Sequence, residues 1–212
     1  AALALLCEQH SPAAITVMST GLTEVQGTDL ARNVKEFRKT HPEFAEVAVI
    51  SVPTPDFVGS LQSGYALTVE RYIKQLLLDK PQHNPIHNSQ QVNVLCGPML
   101  TAADVDLLKQ YFAYFGLTGI FVPDLSLSLD GHLAREDHSA TSTGGCSVAE
   151  IKLMDESIAT IVLGESLLPT GKWLEQAFDI PCHSFSSAYG MQATDDLVML
   201  LQQISDKPVP SF

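Results

Sequence analysis

This sequence has little charge, and less positive charge than negative. Of its 212 residues 17% are charged, against about a quarter in an average soluble protein. Twelve are Lys or Arg and 24 are Asp or Glu, a formal charge of −12. Such a surface repels phosphate, which argues against nucleic acid or an anionic membrane as partner. No apolar run reaches the ~18 residues that a membrane-crossing helix needs. Only four cysteines occur, at 7, 96, 146 and 182. None has the C-x-x-C spacing of a zinc ribbon or a ferredoxin loop. So few thiols in a chain this long do not make an extracellular disulfide framework, and they read as small buried residues of a reducing cytosol. Glycine (13) and proline (12) are at ordinary levels, so no low-complexity linker is present.

What is there is enough apolar material for a core. Hydrophobic residues make up 45% of the chain, which excludes intrinsic disorder. Low charge with normal apolar content predicts a face hidden by burial or by a partner. The opening AALALLC resembles the apolar part of a signal peptide but has no basic residues before it. It reads better as the tail of a helix continuing from upstream, and the chain as a middle piece of a longer protein.

Apolar runs of strand length alternate with amphipathic stretches. Strands are expected at 15–19, 47–52, 92–96, 119–123, 159–164 and 181–185. Helices are expected at 28–39, 60–78, 101–115, 170–178 and 191–204, from apolar residues at helical spacing. Thr101 and Asp104 have the spacing of a capping box, as do Ser147 and Glu150, and Gly116 suits a helix C-cap. Strands that are apolar throughout, with helices between them, imply parallel βαβ units and an α/β fold of Rossmann-like type. The Pro/His/Asn-rich stretch 81–91 reads as the boundary. Residues 1–82 are then the C-terminal part of a first α/β domain, and 83–212 a second, small four-stranded parallel domain.

Sites in such sheets form where strands end, so the residues after each strand are the candidates for chemistry. No G-x-G-x-x-G follows a strand. Gly59 and Gly64 lack the Lys-Ser/Thr of a phosphate loop. Gly164-Glu165-Ser166 lacks the last glycine of a nucleophile elbow. Gly144-Gly145-Cys146 precedes a helix, where a thiolate could be stabilised, but a turn into a capped helix is the simpler reading. His83 and His87 would pair only on a helix that Pro81 and Pro85 disfavour. Cys182 and His183 alternate across a strand and face opposite ways. Asp56, between Pro55 and Phe57, is either a helix cap or an unusual strand-end carboxylate. Spacing alone reaches an acidic α/β protein with a candidate site near Thr20, Gly21 and Asp56.

Six strings carry more. STGLTEVQGTDL, PTPDFVGSLQSG, VNVLCGPMLTAAD, PDLSLSLDGHL, TSTGGCSVAEI and ISDKPVP occur in this order, from Ser19 to Pro210. Together they resemble the nitrogenase component-1 superfamily over essentially the whole chain. Within it they are most similar to the β-like subunits of the scaffold that matures the iron–molybdenum cofactor.

The resemblance implies a family-level function. The scaffold receives an iron–sulfur core from NifB and holds it while molybdenum and homocitrate are inserted with the Fe protein's help. It then passes the product to apo-dinitrogenase. The implied assembly is an α2β2 heterotetramer with a NifE-like subunit in the cytoplasm, with an Fe–S cluster shared between subunits and a transient cofactor precursor. In the catalytic β subunit a cluster-ligating Cys would stand where this chain has Gly21, and a cluster-adjacent Ser where it has Asp56. Gly21 and Asp56 are therefore expected to face the shared cluster without ligating it, and Val25 and Gln26 to contact a docking partner. No catalytic residue and no metal ligand are expected within 1–212. The cluster cysteine region upstream and a third domain downstream are implied to lie outside it. Two alternatives stand beside this reading. One is the β subunit of a catalytic nitrogenase or nitrogenase-like reductase. The other is an α/β module that binds a small metabolite.

Overall fold

In the computed structural model, residues 2–55, 57–80, 87–127, 144–187 and 189–209 are described. The chain divides into two units, Ala1–Lys80 and Pro81–Phe212. Among the described residues all strand pairings are parallel.

The first unit holds two strands, β1 (Ala14–Met18) and β2 (Ala48–Val52), paired from Ala14↔Ala48 to Met18↔Val52. Alternation sends Ile15, Val17 and Val49 to one face. There they pack with Ala4 and Cys7 of α1 (Ala2–His10) and Phe37 of α3 (Leu30–Thr40). The other face meets α4 (Leu61–Leu78), where Tyr72 hydrogen-bonds to Thr16 and Gln75 Nε2 donates to the Val49 carbonyl at 2.7 Å. β2 is buried along nearly its whole length, whereas β1 is half-buried.

The second unit holds a four-stranded sheet in the order β4-β3-β5-β6. Its strands are β3 (Asn88–Cys96), β4 (Thr118–Val122), β5 (Ser157–Leu163) and β6 (Cys182–Phe185). Val92, Val94, Ala159, Ile161 and Leu163 present one face to Val105, Leu108 and Phe112 of α5 (Ala102–Phe115) and to Leu197 and Leu201 of α8 (Met191–Ser205). The opposite face carries α7 (Leu168–Phe178), which lies close enough that a Cβ on Gly171 would meet Val162 Cγ2 at 2.5 Å and Cys182 Sγ at 2.7 Å.

A buried polar group joins the central strands. Asn93 Nδ2 donates to the Met154 carbonyl (2.9 Å) and to Thr160 Oγ1 (3.2 Å), and Ser157 Oγ donates to Asn93 Oδ1 (2.8 Å). Gln91 Nε2 donates to the Leu153 carbonyl at 2.7 Å and to Ser157 Oγ at 3.0 Å. A buried amide left unpaired costs much of its desolvation energy. These bonds therefore fix one register and anchor the segment before β5.

Both capping boxes form, and Gly116 takes the left-handed conformation (φ 66°) at the end of α5. The differences from the sequence reading are local. β3 begins at Asn88, four residues before its apolar stretch, with a register shift between Asn88 and Val92. Exposed Asn88, Ser89 and Gln90 gave no apolar signal for it. Pro169 lies inside the first turn of α7, where its missing N–H has no intrahelical partner to lose. A short helix that the apolar spacing did not predict, α2 (Gly21–Val25), lies within the STGLTEV segment. α6 (Val148–Ile151) follows the Ser147 cap.

Candidate functional site at the strand ends

Register places the carboxyl ends of β1 and β2 side by side. The loops that leave them are clasped. The Thr54 N–H donates to Ser19 Oγ (3.0 Å), Thr54 Oγ1 donates to the Ser19 carbonyl (3.2 Å), and the Ser19 N–H donates to the Val52 carbonyl (3.2 Å). Ser19 is buried by this arrangement. Thr20 then caps α2, with its N–H donating to Thr23 Oγ1 at 2.8 Å. Gly21 is thus the first residue of α2 and is buried. Asp56 lies outside the described residues.

Around this edge apolar side chains stand in solvent. Met18, Leu22 and Val25 lie on the β1 side, and Phe57, Val58 and Leu61 on the β2 side, with Val25 79% and Leu61 90% exposed. Gln26, exposed, ends α2, and Gly27 (φ 69°) turns the chain toward α3. Six large apolar side chains are thus exposed on and just after the carboxyl ends of these two strands. Such an edge is suited to excluding water against another protein surface. Among the described residues it holds no nucleophile paired with a base.

The second unit has a different chemistry at its strand ends. Lys109 Nζ donates to Asp124 Oδ2 (2.7 Å) and Ser126 Oγ (2.6 Å), and Ser126 Oγ donates to Asp124 Oδ1 (2.7 Å). Burial alone would raise the Asp124 carboxyl. The bonds from Lys109 and Ser126 outweigh it and hold the group below its ordinary value. This group borders a cavity of about 280 Å³ whose lining includes Phe112, Phe121, Cys146 and Glu150. Nearby, Tyr189 Oη donates to the Met99 carbonyl (2.8 Å) and to Asp104 Oδ2 (3.1 Å), tying the loop after β6 to the loop after β3.

An iron–sulfur cluster needs thiolates. Burial pushes the Cys96 thiol up to about 12, with the nearby Asp124 charge adding to it. Burial, then Glu150 and Asp124, push Cys146 up to about 12 as well. Cys7 is buried in the core against α3 and β2, and burial raises Cys182. Among the described residues no three His, Cys, Asp or Glu side chains come together as a metal site. The thiols of this chain, as placed, do not fit such a cluster, so no ligand role is derived for them.

Of the other sequence candidates, His87 Nδ1 is hydrogen-bonded to the Ser157 carbonyl at 3.0 Å. His83 lies outside the described residues. Cys146 is a protonated thiol at a turn into a capped helix, not an activated one. The structure keeps Gly21, Val25 and Gln26 together on α2 and its C-cap. Two groups escaped the sequence reading: the Ser19–Thr54 clasp and the Lys109–Asp124–Ser126 group. The clasp was within reach, since both residues directly follow strands whose ends pair. The second depends on a helix–loop approach that no spacing rule encodes.

Parallel α/β units with a site at the strand ends and no complete catalytic constellation among the described residues define a wide class. A family model narrows it: the description "Nitrogenase component 1 type Oxidoreductase" matches residues 1–212. The chain belongs to this family.

Its relatives include proteins named "Nitrogenase iron-molybdenum cofactor biosynthesis protein NifN". The one from Nostoc sp. (strain PCC 7120) is 39% identical over 99% of this chain and 46% of its own length. Those from Klebsiella pneumoniae (33%, over 100% of this chain and 45% of its own) and Bradyrhizobium diazoefficiens (34%, over 97% and 44%) are similar. The chain spans about half the length of these relatives. A solved structure titled "Nitrogenase Cp1 at pH 6.5" superposes with a TM-score of 0.87 at 26% identity, over 99% of this chain and 44% of that one. No helix among the described residues is long and apolar enough to cross a membrane.

Proposed function

We propose that the longer protein containing this chain is the β-like subunit of the scaffold on which the nitrogenase iron–molybdenum cofactor is matured. The observation that carries the reading is the match, over nearly the whole chain, to relatives named for the biosynthesis of that cofactor. Gly21 supports it against the catalytic alternative. The residue has no side chain to offer iron at the strand end where the dinitrogenase β subunit is expected to place a cysteine.

In this reading the chain contributes shape rather than a reacting group. Ser19 and Thr54 hold the two strand-end loops in register, so that Gly21 and Asp56 face a shared Fe–S cluster without binding it. The cluster's ligands come from outside the described residues. Leu22, Phe57 and Leu61 form the face buried against a NifE-like subunit in a cytoplasmic α2β2 heterotetramer. Val25 and Gln26 border the surface met by the nitrogenase Fe protein. The cofactor precursor is cargo, delivered by NifB and handed on to apo-dinitrogenase. Residues 1–82 close a first domain and 83–212 form a second.

A genetic test separates the alternatives. A strain deleted for the parent gene should accumulate dinitrogenase that lacks its cofactor, and adding isolated cofactor to the extract should restore activity. If added cofactor fails to restore activity, the protein is a subunit of the catalyst itself. If nitrogen fixation survives the deletion, the reading is wrong altogether.

A further inference from the structure

Helix α3 carries an unusual share of the positive charge. Four of the twelve Lys and Arg of the chain lie within its eleven residues, at Arg32, Lys35, Arg38 and Lys39. Arg38 is committed to structure, donating to the Phe44 carbonyl (3.2 Å) and the Ala45 carbonyl (3.0 Å). Arg32, Lys35 and Lys39 are exposed and recur at i, i+3 and i+7. That spacing puts them in one stripe along the helix. The stripe lies opposite Val34 and Phe37, which pack into the core.

Three cations elsewhere are paired with carboxylates: Lys74 with Glu70 (2.6 Å), Lys109 with Asp124 (2.7 Å) and Lys172 with Glu175 (2.7 Å). Among the described residues, none of the three stripe cations has a carboxylate within 4.0 Å. Along the chain the stripe follows closely on the exposed end of α2. Only Gly27, Thr28 and Asp29 separate Gln26 from α3, and Asp29 caps α3 through the Arg32 N–H (2.9 Å).

We infer that the Arg32–Lys35–Lys39 stripe steers a carboxylate-rich protein face onto the neighbouring α2 surface. A chain with a formal charge of −12 repels an acidic partner at long range. A local row of cations with only Glu36 among them offsets that field beside the landing surface. Steering of this kind acts on the association rate, scarcely on dissociation, and fades with salt. The occupant is an acidic protein. A polyanion such as nucleic acid is disfavoured because it would meet the net negative charge along its whole length.

The inference rests on the docking role proposed for Val25 and Gln26. The test uses the full-length protein assembled with its partner subunit, and the Fe protein as probe, with association followed by stopped flow at low and high salt. Reversing the stripe (Arg32→Glu, Lys35→Glu, Lys39→Glu) should slow association about tenfold or more at low salt, leave dissociation nearly unchanged, and lose its effect near 1 M salt. Glu36, exposed beside Arg32, offers a variant that does not depend on damage: Glu36→Lys should speed association at low salt. Rates indifferent to both changes would overturn the steering role while leaving the scaffold reading in place. A wild-type assembly that does not bind the Fe protein at any salt would overturn both.

Discussion

The two units solve the same architectural problem to different degrees. The second buries both faces of a four-stranded sheet, with α5 and α8 on one side and α7 on the other. The first has two strands, of which only β2 is well buried, and it leaves Met18, Leu22, Val25, Phe57, Val58 and Leu61 in solvent at one edge. Charge divides them too. The first unit holds seven Lys and Arg against nine Asp and Glu, the second five against fifteen. The strand ends of the nearly neutral unit are suited to being covered, whereas the strongly acidic unit, which also exposes Met99, Tyr189 and Met191, repels an acidic partner more strongly. The difference teaches where to look for partners: at the strand ends of the first unit.

The only tryptophan, Trp173, lies in α7, so its fluorescence is a probe placed in the second unit. Ile161, fully buried on the central strand β5, should give the largest effect. Ile161→Ala is expected to cost about 2–5 kcal/mol in denaturant unfolding followed by Trp173. Next comes Asn93→Ala, which leaves the Ser157 hydroxyl and the Met154 carbonyl without their amide, at a cost of about 2 kcal/mol. A loss under about 0.5 kcal/mol would mean that the β3–β5 network does not hold the register.

The acid limb comes third. Asp124 and Asp104 are held below their ordinary values by the bonds they accept. Their contribution is complete above the unfolded carboxylate range near pH 4 and is lost as pH falls through their lowered folded values. The second unit should therefore weaken as pH drops below about 4, and Asp124→Asn should flatten that slope. An unchanged slope would show that the Lys109 pair adds nothing.

Smaller effects belong to the first unit. Ser19→Ala removes the clasp acceptor and should cost about 1 kcal/mol, seen as faster amide exchange at residues 19–25 and 54 with Trp173 unfolding unchanged. Leu61→Ser, at a side chain 90% exposed, should change the stability of the chain by less than about 0.5 kcal/mol. In the full-length protein the same change should weaken subunit assembly. Assembly as tight as wild type would remove the argument that this edge is an interface.

Much of this was legible in the sequence. The continuous apolar runs around Val49, Val94 and Ile161 gave buried parallel strands, and Thr101–Asp104 and Ser147–Glu150 gave helix starts, because these signals are local and physical. The start of β3 was not legible, since Asn88, Ser89 and Gln90 are held by pairing rather than by burial. Nor was α2, a five-residue helix with only a threonine cap to announce it. The strand-end edge was legible as a place but not as a surface: which of Leu22, Val25 and Leu61 stay in solvent depends on what packs above them. The family was legible because six strings recur in one order, a signal that no single spacing carries.

The central claim is that the longer protein containing this chain is one of the two kinds of subunit in a heterotetrameric scaffold. The most direct measurement is an anaerobic affinity purification of the tagged full-length protein from nitrogen-fixing cells, with copurifying subunits identified and iron counted. A homologous partner in equal amount is expected, with iron at the stoichiometry of a four-iron cluster. A lone, iron-free polypeptide would contradict it.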